Sequence, residues 1–257
     1  MSEYTTNNGT VLAVPFFVWV SDINRNLSEE KVVAFKLESV VPWGRNLDEY
    51  RLMFQLSESD MSKKIAGFGD GPASFNFEAT QKGYSITSFD PIYQFSKDSL
   101  QQRIDDVRIT VMQQMRENMN NYVWTKIKSL EELENVRMSA MHLFLEDFEK
   151  GKQEGRYIHH ELPNRLAYED DTFDIGLSSH FLLMYTILGF DFHIQSMAEM
   201  LRICKEIRIF PVVDLDANKT DLISNVIDYF KRQYDVEIRK TQYEFQKGDN
   251  KLLIIRK

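Results

Sequence analysis

Cysteine is almost absent from the sequence: Cys204 is the only one among 257 residues. A single cysteine excludes an intramolecular disulfide and any zinc site built from cysteines, and it fits a reducing compartment. The longest apolar run, residues 11–20, is too short to span a bilayer and contains Pro15. No basic residue precedes Arg25, so the sequence does not predict a signal peptide. These absences predict a cytoplasmic protein that does not associate with membranes.

Basic residues are scarcer than acidic ones. The sequence has 31 Lys and Arg against 39 Asp and Glu, a net charge of −8. This balance argues against a surface built to hold phosphate backbones, so nucleic acid is not an expected partner. The hydrophobic fraction of 43 % is ample for a core and excludes wholesale disorder. The length predicts one large domain or two small ones.

Short β-type segments alternate with helical ones along most of the chain. Residues 47–56 have helical spacing, and residues 96–154 carry apolar residues at three- and four-residue steps, which predicts amphipathic helices. Further helices are predicted at 73–81, with Pro72 in the first turn, at 192–204, capped by Asp191, and from Thr220 to 230. The predicted strands cover residues 65–66, 84–89, 156–159, 173–178, 206–213, 236–246 and 251–256.

The last two predicted strands are joined by a turn of four residues, 247–250. A parallel crossover needs a dozen residues or more, so this pair must form an antiparallel hairpin. The alternation before it predicts parallel strands with helices on both faces. The predicted fold class is therefore α/β: a Rossmann-like, doubly wound, mostly parallel seven-stranded sheet that ends in an antiparallel β-hairpin and carries a helical insertion.

Ligands of such sheets bind beyond the carboxyl ends of the strands. The segments expected at that edge are residues 67–72, 90–91, 160–164, 178–181 and 213–216.

Three glycines follow the first predicted strand: Gly67, Gly69 and Gly71. Glycines there let the backbone turn tightly and approach a ligand without a Cβ in the way. Asp90 ends the second predicted strand, nineteen residues after Gly71. Its carboxylate could accept hydrogen bonds from both ribose hydroxyls of an adenosine-containing ligand. The alternative for Asp90 is a turn or helix cap, which Asp-Pro often provides.

Two common phosphate-binding motifs do not fit this loop. The dinucleotide fingerprint G-x-G-x-x-G would need glycine where Pro72 stands, and a P-loop would need a lysine that residues 72–74 do not supply.

The ordered set of motifs resembles the class I S-adenosylmethionine-dependent methyltransferases. Residues 67–71 match the first motif, Asp90 matches the ribose acid, and residues 166–174 match the segment that leads into the fourth strand. The resemblance implies a methyltransferase domain at residues 61–257, with the insertion at about 96–154. Residues 1–60 form a separate segment that could cover the active site. Ile65 departs from the family, because an acid that contacts the methionine amino group usually stands there.

The resemblance implies S-adenosylmethionine as the cofactor and assigns residues to its parts. Asp90 would hold the ribose, Ser178 would lie beneath the sulfonium, and the remaining positions would contact the methionyl and adenine parts. The implied cofactor-binding residues are Gly67, Phe68, Gly69, Gly71, Asp90, Pro91, Glu161, Leu162 and Ser178.

Methyl transfer from a sulfonium needs no metal, and a base only if the acceptor keeps its proton. His180, just past the fourth predicted strand, is the best-placed base; a packed, hydrogen-bonded histidine is the alternative. The pair His159 and His160 has no third ligand at recognisable spacing, so no metal site is predicted.

The acceptor is expected to be a small molecule. Cys204 falls inside a predicted helix, which excludes it as the cysteine nucleophile of a cytosine methylase, and the Asn/Asp-Pro-Pro-Tyr/Phe motif of amino-group DNA methylases is missing after Leu177. A protein side chain remains open as acceptor. Two other functions also remain open: a module that binds the cofactor without turnover, and a nicotinamide-dependent oxidoreductase. The sequence does not determine the oligomeric state.

Overall fold

A computed structural model describes residues 43–215 and 217–257, which build one seven-stranded sheet. The strands are β1 Lys64–Phe68, β2 Ser85–Asp90, β3 Tyr157–His159, β4 Phe173–Ser179, β5 Cys204–Phe210, β6 Asp235–Lys240 and β7 Lys251–Arg256. They lie in the order β3-β2-β1-β4-β5-β7-β6. The first five run parallel, and β7 runs antiparallel to both β5 and β6. The predicted fold class is confirmed.

Helices cover both faces of the sheet. They are α1 Leu47–Phe54, α2 Glu58–Met61, α3 Phe75–Gln81, α4 Lys97–Glu117, α5 Leu130–Gln153, α6 Gly189–Ile203 and α7 Asp221–Phe230. The first five contribute side chains to one core, and α6 and α7 contribute to the other. Within the two described ranges, no helix is both long and apolar enough to cross a membrane.

The central strands are buried on both faces, which explains their apolar sequences. On β1, Ile65 points into the first core, whereas Ala66 and Phe68 point into the second. On β4, Ile175 and Leu177, which are two residues apart, both point into the first core.

Helix α5 provides the connection that parallel neighbours β2 and β3 require. It packs against both α3 and β3, whereas α4 packs on α5. The predicted helical segment at 96–154 therefore contains the crossover helix α5 and an additional helix, α4.

The described residues before β1 belong to the same core as the sheet. Leu47, Tyr50 and Phe54 of α1 are buried with Ile65 of β1. The apolar run at residues 11–20, and most of the segment predicted to cover the site, lie outside the described residues.

Several element boundaries differ from the prediction. Helix α3 begins at Phe75, after Pro72 and not with it, and α6 begins at Gly189 with Asp191 in its first turn and no side-chain cap. Cys204 is the first residue of β5 rather than part of a helix. It follows α6 directly, so no turn residue marks the boundary in the sequence. The Thr220 cap of α7 is confirmed, because its side chain accepts a hydrogen bond from the amide of Ile223.

The connection between β6 and β7 is longer than predicted. The pair is antiparallel as expected, but ten residues, 241–250, join the strands instead of four. Tyr243 and Phe245 in this connection are buried in the first core, which is why they imitate a continuing strand in the sequence. The connection also carries Asp249 into the protein.

A buried ion pair ties this connection to α1 and α5. Arg137 of α5 is completely buried and pairs with Glu49 of α1, and the hydroxyl of Tyr243 donates to Glu49 Oε1 at 3.0 Å. Burial acts to raise the pKa of Glu49, but the charge and hydrogen bond of Arg137 outweigh it, so the pKa is lowered. Glu49 is therefore charged in the core at neutral pH.

Removing the cation of this pair should be strongly destabilising. Arg137→Met leaves the charge of Glu49 buried without its partner, and we expect the free energy of unfolding to fall by about 3–5 kcal/mol. Arg108→Ala is the matched control, because Arg108 pairs with Glu134 between α4 and α5 at the surface. That loss should stay below about 1 kcal/mol. Chemical denaturation measures both, and equal small losses would contradict the account.

Candidate functional site

Two cavities open at the carboxyl edge of the sheet, one on each side of Gly69. The larger, the aromatic cleft, holds about 520 Å³ and is lined by Phe68, Gly69, Phe89, Asp90, Pro91, Ile92, His160, Glu161, Leu162 and Phe181. The smaller, the polar cavity, holds about 290 Å³ and is lined by Trp43, Arg45, Tyr50, Gly69, Asp70, Ser179 and His180.

The glycine loop after β1 is held by the end of β2. The amide of Gly69 donates to the carbonyl of Phe89 at 2.9 Å, and the amide of Gly71 donates to Asp90 Oδ2 at 2.8 Å. Tyr93 donates its hydroxyl proton to the carbonyl of Gly71 at 2.9 Å. Gly69 and Gly71 have positive φ angles, 71° and 57°, which explains why glycine stands at both positions.

The absence of a side chain at Gly67 makes room for a buried carboxylate. A Cβ at Gly67 would lie 1.8 Å from Asp70 Oδ2, so the side chain of Asp70 occupies the space that this glycine leaves. Tyr50 donates to Asp70 Oδ1 at 2.8 Å, and Ser88 donates to Oδ2 at 2.6 Å. Burial raises the pKa of Asp70 to about 6, although both hydrogen bonds act to lower it.

Asp90 is both a cap and part of the cleft wall. Besides accepting from Gly71, its carboxylate accepts from the amide of Ile92 at 2.9 Å and so caps the 3₁₀ turn Pro91–Gln94. The cap was the alternative interpretation of this residue. A carboxylate has about four lone-pair sites, so these two hydrogen bonds leave two for a ligand. Burial raises the pKa of Asp90 to about 7, against the two amides, and nearby Asp70 adds to the rise.

Aromatic rings form the walls of the cleft. Phe68 and Phe89 stack with ring centroids 5.3 Å apart, and Phe181 lies so close to Gly69 that a Cβ there would meet its ring at 3.0 Å. Such walls suit a flat, apolar group such as a purine base.

Six of the nine predicted cofactor residues meet in this cleft: Phe68, Gly69, Asp90, Pro91, Glu161 and Leu162. The other three line neither cavity. Gly67 faces Asp70, and the amide and carbonyl of Gly71 are hydrogen-bonded to Asp90 and Tyr93. Ser178 lies within β4, paired in register with Ile209, and is completely buried.

His180, the predicted base, lines the polar cavity. Its Nε2 lies 3.0 Å from Arg45 Nη2, and its Nδ1 lies 2.7 Å from Ser179 Oγ. Because a guanidinium can only donate, Nε2 is the acceptor and the ring proton is on Nδ1. Burial, together with the charges of Arg45 and Arg137, lowers the pKa of His180 well below its usual value. These contacts match the alternative of a packed, hydrogen-bonded histidine.

Two residues at the site were given no role from the sequence, although one of them, His160, lies in the segment 160–164 expected at this edge. His160 lines the cleft edge-on to Phe89, and its buried Nε2 has no hydrogen-bond partner among the described residues. Its position directly after β3 is the sequence signal that places it at this edge. In the part of the chain that the structure describes, no three potential metal-binding side chains come together. Asp249, whose Oδ2 lies 4.0 Å from His180 Nε2, had no local signal at all.

The buried carboxyl of Asp70 should make stability depend on pH. Its pKa is raised from 3.8 to about 6 in the folded protein, so its stabilising contribution is complete below pH 3.8 and is lost as pH rises through 6. Relative to Asp70→Asn, the wild-type free energy of unfolding should fall by on the order of 3 kcal/mol over that interval. Denaturation of both proteins between pH 4 and pH 7 measures the difference between their free energies of unfolding. The contributions of the other titrating groups cancel in this difference. A difference that is constant with pH would contradict the burial account.

No family model matches the chain. It is 37 % identical over 224 residues to an uncharacterized protein of Methanocaldococcus jannaschii, and the match covers 86 % of this chain and 98 % of the other.

Two solved structures of methyltransferases are similar at a low level. A TehB-like SAM-dependent methyltransferase from Corynebacterium glutamicum is 14 % identical, with a TM-score of 0.44 and coverage of 81 % of this chain and 86 % of the other. A SAM-dependent methyltransferase from Aquifex aeolicus is 11 % identical, with a TM-score of 0.36 and coverage of 81 % and 92 %. The fold of the chain is defined by its strand order. The chain belongs to the same family as the Methanocaldococcus jannaschii protein, and its sheet order β3-β2-β1-β4-β5-β7-β6, with β7 antiparallel, is the fold of the class I S-adenosylmethionine-dependent methyltransferases.

Proposed function

We propose that the protein is an S-adenosylmethionine-dependent methyltransferase that acts on a small-molecule acceptor. The observation that carries the proposal is the aromatic cleft at the carboxyl ends of β1, β2 and β3, where Asp90 and the turn at Gly69 meet three phenylalanine rings. Ligands of doubly wound sheets bind at this edge.

The residues present fit the nucleoside part of the cofactor. The rings of Phe68 and Phe89 would form the apolar wall for adenine, and Asp90 would accept hydrogen bonds from the ribose hydroxyls at its two remaining lone-pair sites. Glu161 and Leu162 would border the adenine edge. When bound, the cofactor supplies an electrophilic methyl group on a positively charged sulfur.

The contribution of the chain to the reaction would be mainly alignment. Holding donor and acceptor in line removes much of the barrier of a two-molecule step. The polar cavity adjoins the cleft through Gly69, so it is the natural place for groups near the reacting centre. His180 there is neutral and accepts a hydrogen bond from Arg45, so a role as base would require it to exchange that partner.

The net charge of −8 disfavours nucleic acid as the acceptor, which leaves a small molecule or a protein side chain. The charge does not select one metabolite.

A binding module without turnover is the second candidate. The specific observation in its favour is the state of His180, whose Nε2 is occupied by the guanidinium of Arg45 and whose pKa is well below its usual value. The nicotinamide-dependent alternative is disfavoured by Pro72, which stands where a dinucleotide loop needs glycine.

Calorimetry with S-adenosylhomocysteine and with NAD tests the cofactor class. We expect S-adenosylhomocysteine to bind and NAD not to bind, because Pro72 stands where the dinucleotide fingerprint needs its third glycine. Binding of NAD alone would overturn the proposal.

The affinity for the nucleoside should depend on the charge of Asp90. Its pKa is raised to about 7, so lowering the pH from 8 to 6 protonates the carboxylate and removes an acceptor for the ribose. We therefore expect adenosine affinity to fall over this range, and Asp90→Asn to weaken binding at pH 8 by about 1–3 kcal/mol and to abolish the pH slope. The control ligand is 2′,3′-dideoxyadenosine, which lacks the ribose diol and should show little slope. Equal slopes for both ligands would show that the ribose assignment is wrong.

A test for turnover distinguishes a methyltransferase from a module that only binds the cofactor. A methyl-release assay over a panel of small metabolites should yield S-adenosylhomocysteine with at least one acceptor. Tight cofactor binding with no turnover on any acceptor class, including peptides and nucleic acids, would favour the binding module.

A further inference from the structure

The sheet has one long open edge. Among the described strands β6, of six residues, pairs only with β7, whereas β3 at the opposite edge has three residues. An edge strand presents a row of N–H and C=O groups to a further strand, and many proteins block such edges with a proline, a bulge or a very short strand. Strand β6 contains no proline, and it pairs with β7 without a break in register. This edge is therefore able to accept another strand.

The backbone groups that face the open edge belong to Val236, Ile238 and Lys240. In an antiparallel pair, residues alternate between those that bond to the neighbouring strand and those that point away from it. The amide of Thr241 donates to the carbonyl of Asn250 at 2.8 Å, in continuation of the β6–β7 register. Residues at odd positions of β6 therefore point toward β7, and residues at even positions point outward.

The two faces of β6 carry different side chains. Val236 packs against the second core, and Ile238, two residues further and so on the same face, is 42 % exposed. On the other face Glu237 Oε2 lies 2.7 Å from Arg239 Nη2 and 3.2 Å from Arg256 Nη1 of β7. The edge therefore offers an apolar face and a face with charges of both signs.

These charges favour one pairing of β6 with its own copy. Residues directly opposite each other in an antiparallel pair lie on the same face, so a two-fold axis must pass beside a single residue. With the axis at Ile238, Glu237 lies opposite the partner's Arg239, and Arg239 lies opposite the partner's Glu237. An axis at Glu237 or Arg239 places that charge opposite its own copy, and an axis at Val236 places Asp235 opposite Glu237. Like charges directly opposite each other are destabilising, so the axis at Ile238 is favoured.

The same axis matches the backbone. Ile238 would exchange main-chain hydrogen bonds with its own copy, and Val236 would do so with the partner's Lys240. The carbonyl of Lys240 also accepts a hydrogen bond from Gln55 Nε2 at 2.8 Å, and its second lone pair remains for the partner. The exposed side chain of Ile238 would be covered by the same side chain of the partner.

We infer that β6 is a dimerisation strand, through which two copies of this chain join their sheets across a two-fold axis at Ile238. One short strand from each copy makes a small interface, so the dimer is weak and reversible. Strands β4, β5 and β7 lie between β6 and the strands that line the aromatic cleft. The inference therefore does not rest on the proposed function.

Sedimentation equilibrium of the full chain tests the association. Between about 1 µM and about 1 mM wild-type protein, the mass should rise from the 30.3 kDa of one chain toward twice that value. Ile238→Lys places a charge opposite its own copy and should weaken association at least about tenfold. The matched control is Ile109→Lys, at a 75 % exposed position of α4, which should associate like wild type. A wild-type mass that stays at 30.3 kDa throughout, or association that Ile238→Lys leaves unchanged, would overturn the inference.

Two charge variants test the register. In Arg239→Glu both facing residues of each copy are acidic, and in Glu237→Arg both are basic, so each variant alone should associate at least about tenfold more weakly than wild type. An equimolar mixture should form a heterodimer, because every carboxylate then lies opposite a guanidinium. A mixture that associates no better than its components would contradict the pairing at Ile238.

Amide hydrogen exchange followed by NMR identifies the strand and what covers it. The outward amides of Val236, Ile238 and Lys240 should exchange rapidly in dilute protein and more slowly as concentration rises. The amides of Glu237 and Arg239, which point toward β7, should be protected at every concentration. Outward amides that are already protected in dilute protein would show that another segment of the same chain covers the edge, and this result would overturn the inference.

Discussion

Two buried aspartates hold the glycine loop after β1, and the site depends on their hydrogen bonds. The carboxylate of Asp90 accepts a hydrogen bond from the amide of Gly71. The carboxylate of Asp70, next to Gly67, accepts hydrogen bonds from the hydroxyls of Tyr50 and Ser88. These bonds fix the backbone at Gly69, which separates the aromatic cleft from the polar cavity. Burial of both carboxyls raises their pKa, so the loop is held at a cost in stability at neutral pH. Such local costs are common where a protein shapes a binding site.

The sequence was sufficient for the fold and for one half of the site. Strands that are buried on both faces appear in the sequence as short apolar runs, and helices with one apolar face show apolar residues at three- and four-residue steps. The alternation of strands and helices can therefore be recognised from local sequence patterns. Because parallel strands end at one edge of the sheet, Gly69, Asp90 and Leu162 could be assigned to one site without knowledge of their contacts, and they do line one cleft.

The polar half of the site depends on contacts between distant segments, which no local pattern reports. Asp249 reaches His180 because residues 241–250 fold inward, and the buried Tyr243 and Phe245 of that connection look like a strand in the sequence. Arg45 meets His180 across 135 positions of the chain. Gly67 was predicted to contact the cofactor, but this glycine makes room for the side chain of Asp70 and does not line the cleft.

The central claim is that the cleft beside Gly69 binds an adenosine-containing ligand. Diffraction from crystals grown with S-adenosylhomocysteine tests it most directly. The account predicts electron density for adenine against Phe68 and Phe89, with the ribose hydroxyls at the carboxylate of Asp90. A cleft without ligand density at a saturating concentration, or a nucleoside bound elsewhere on the protein, would contradict it.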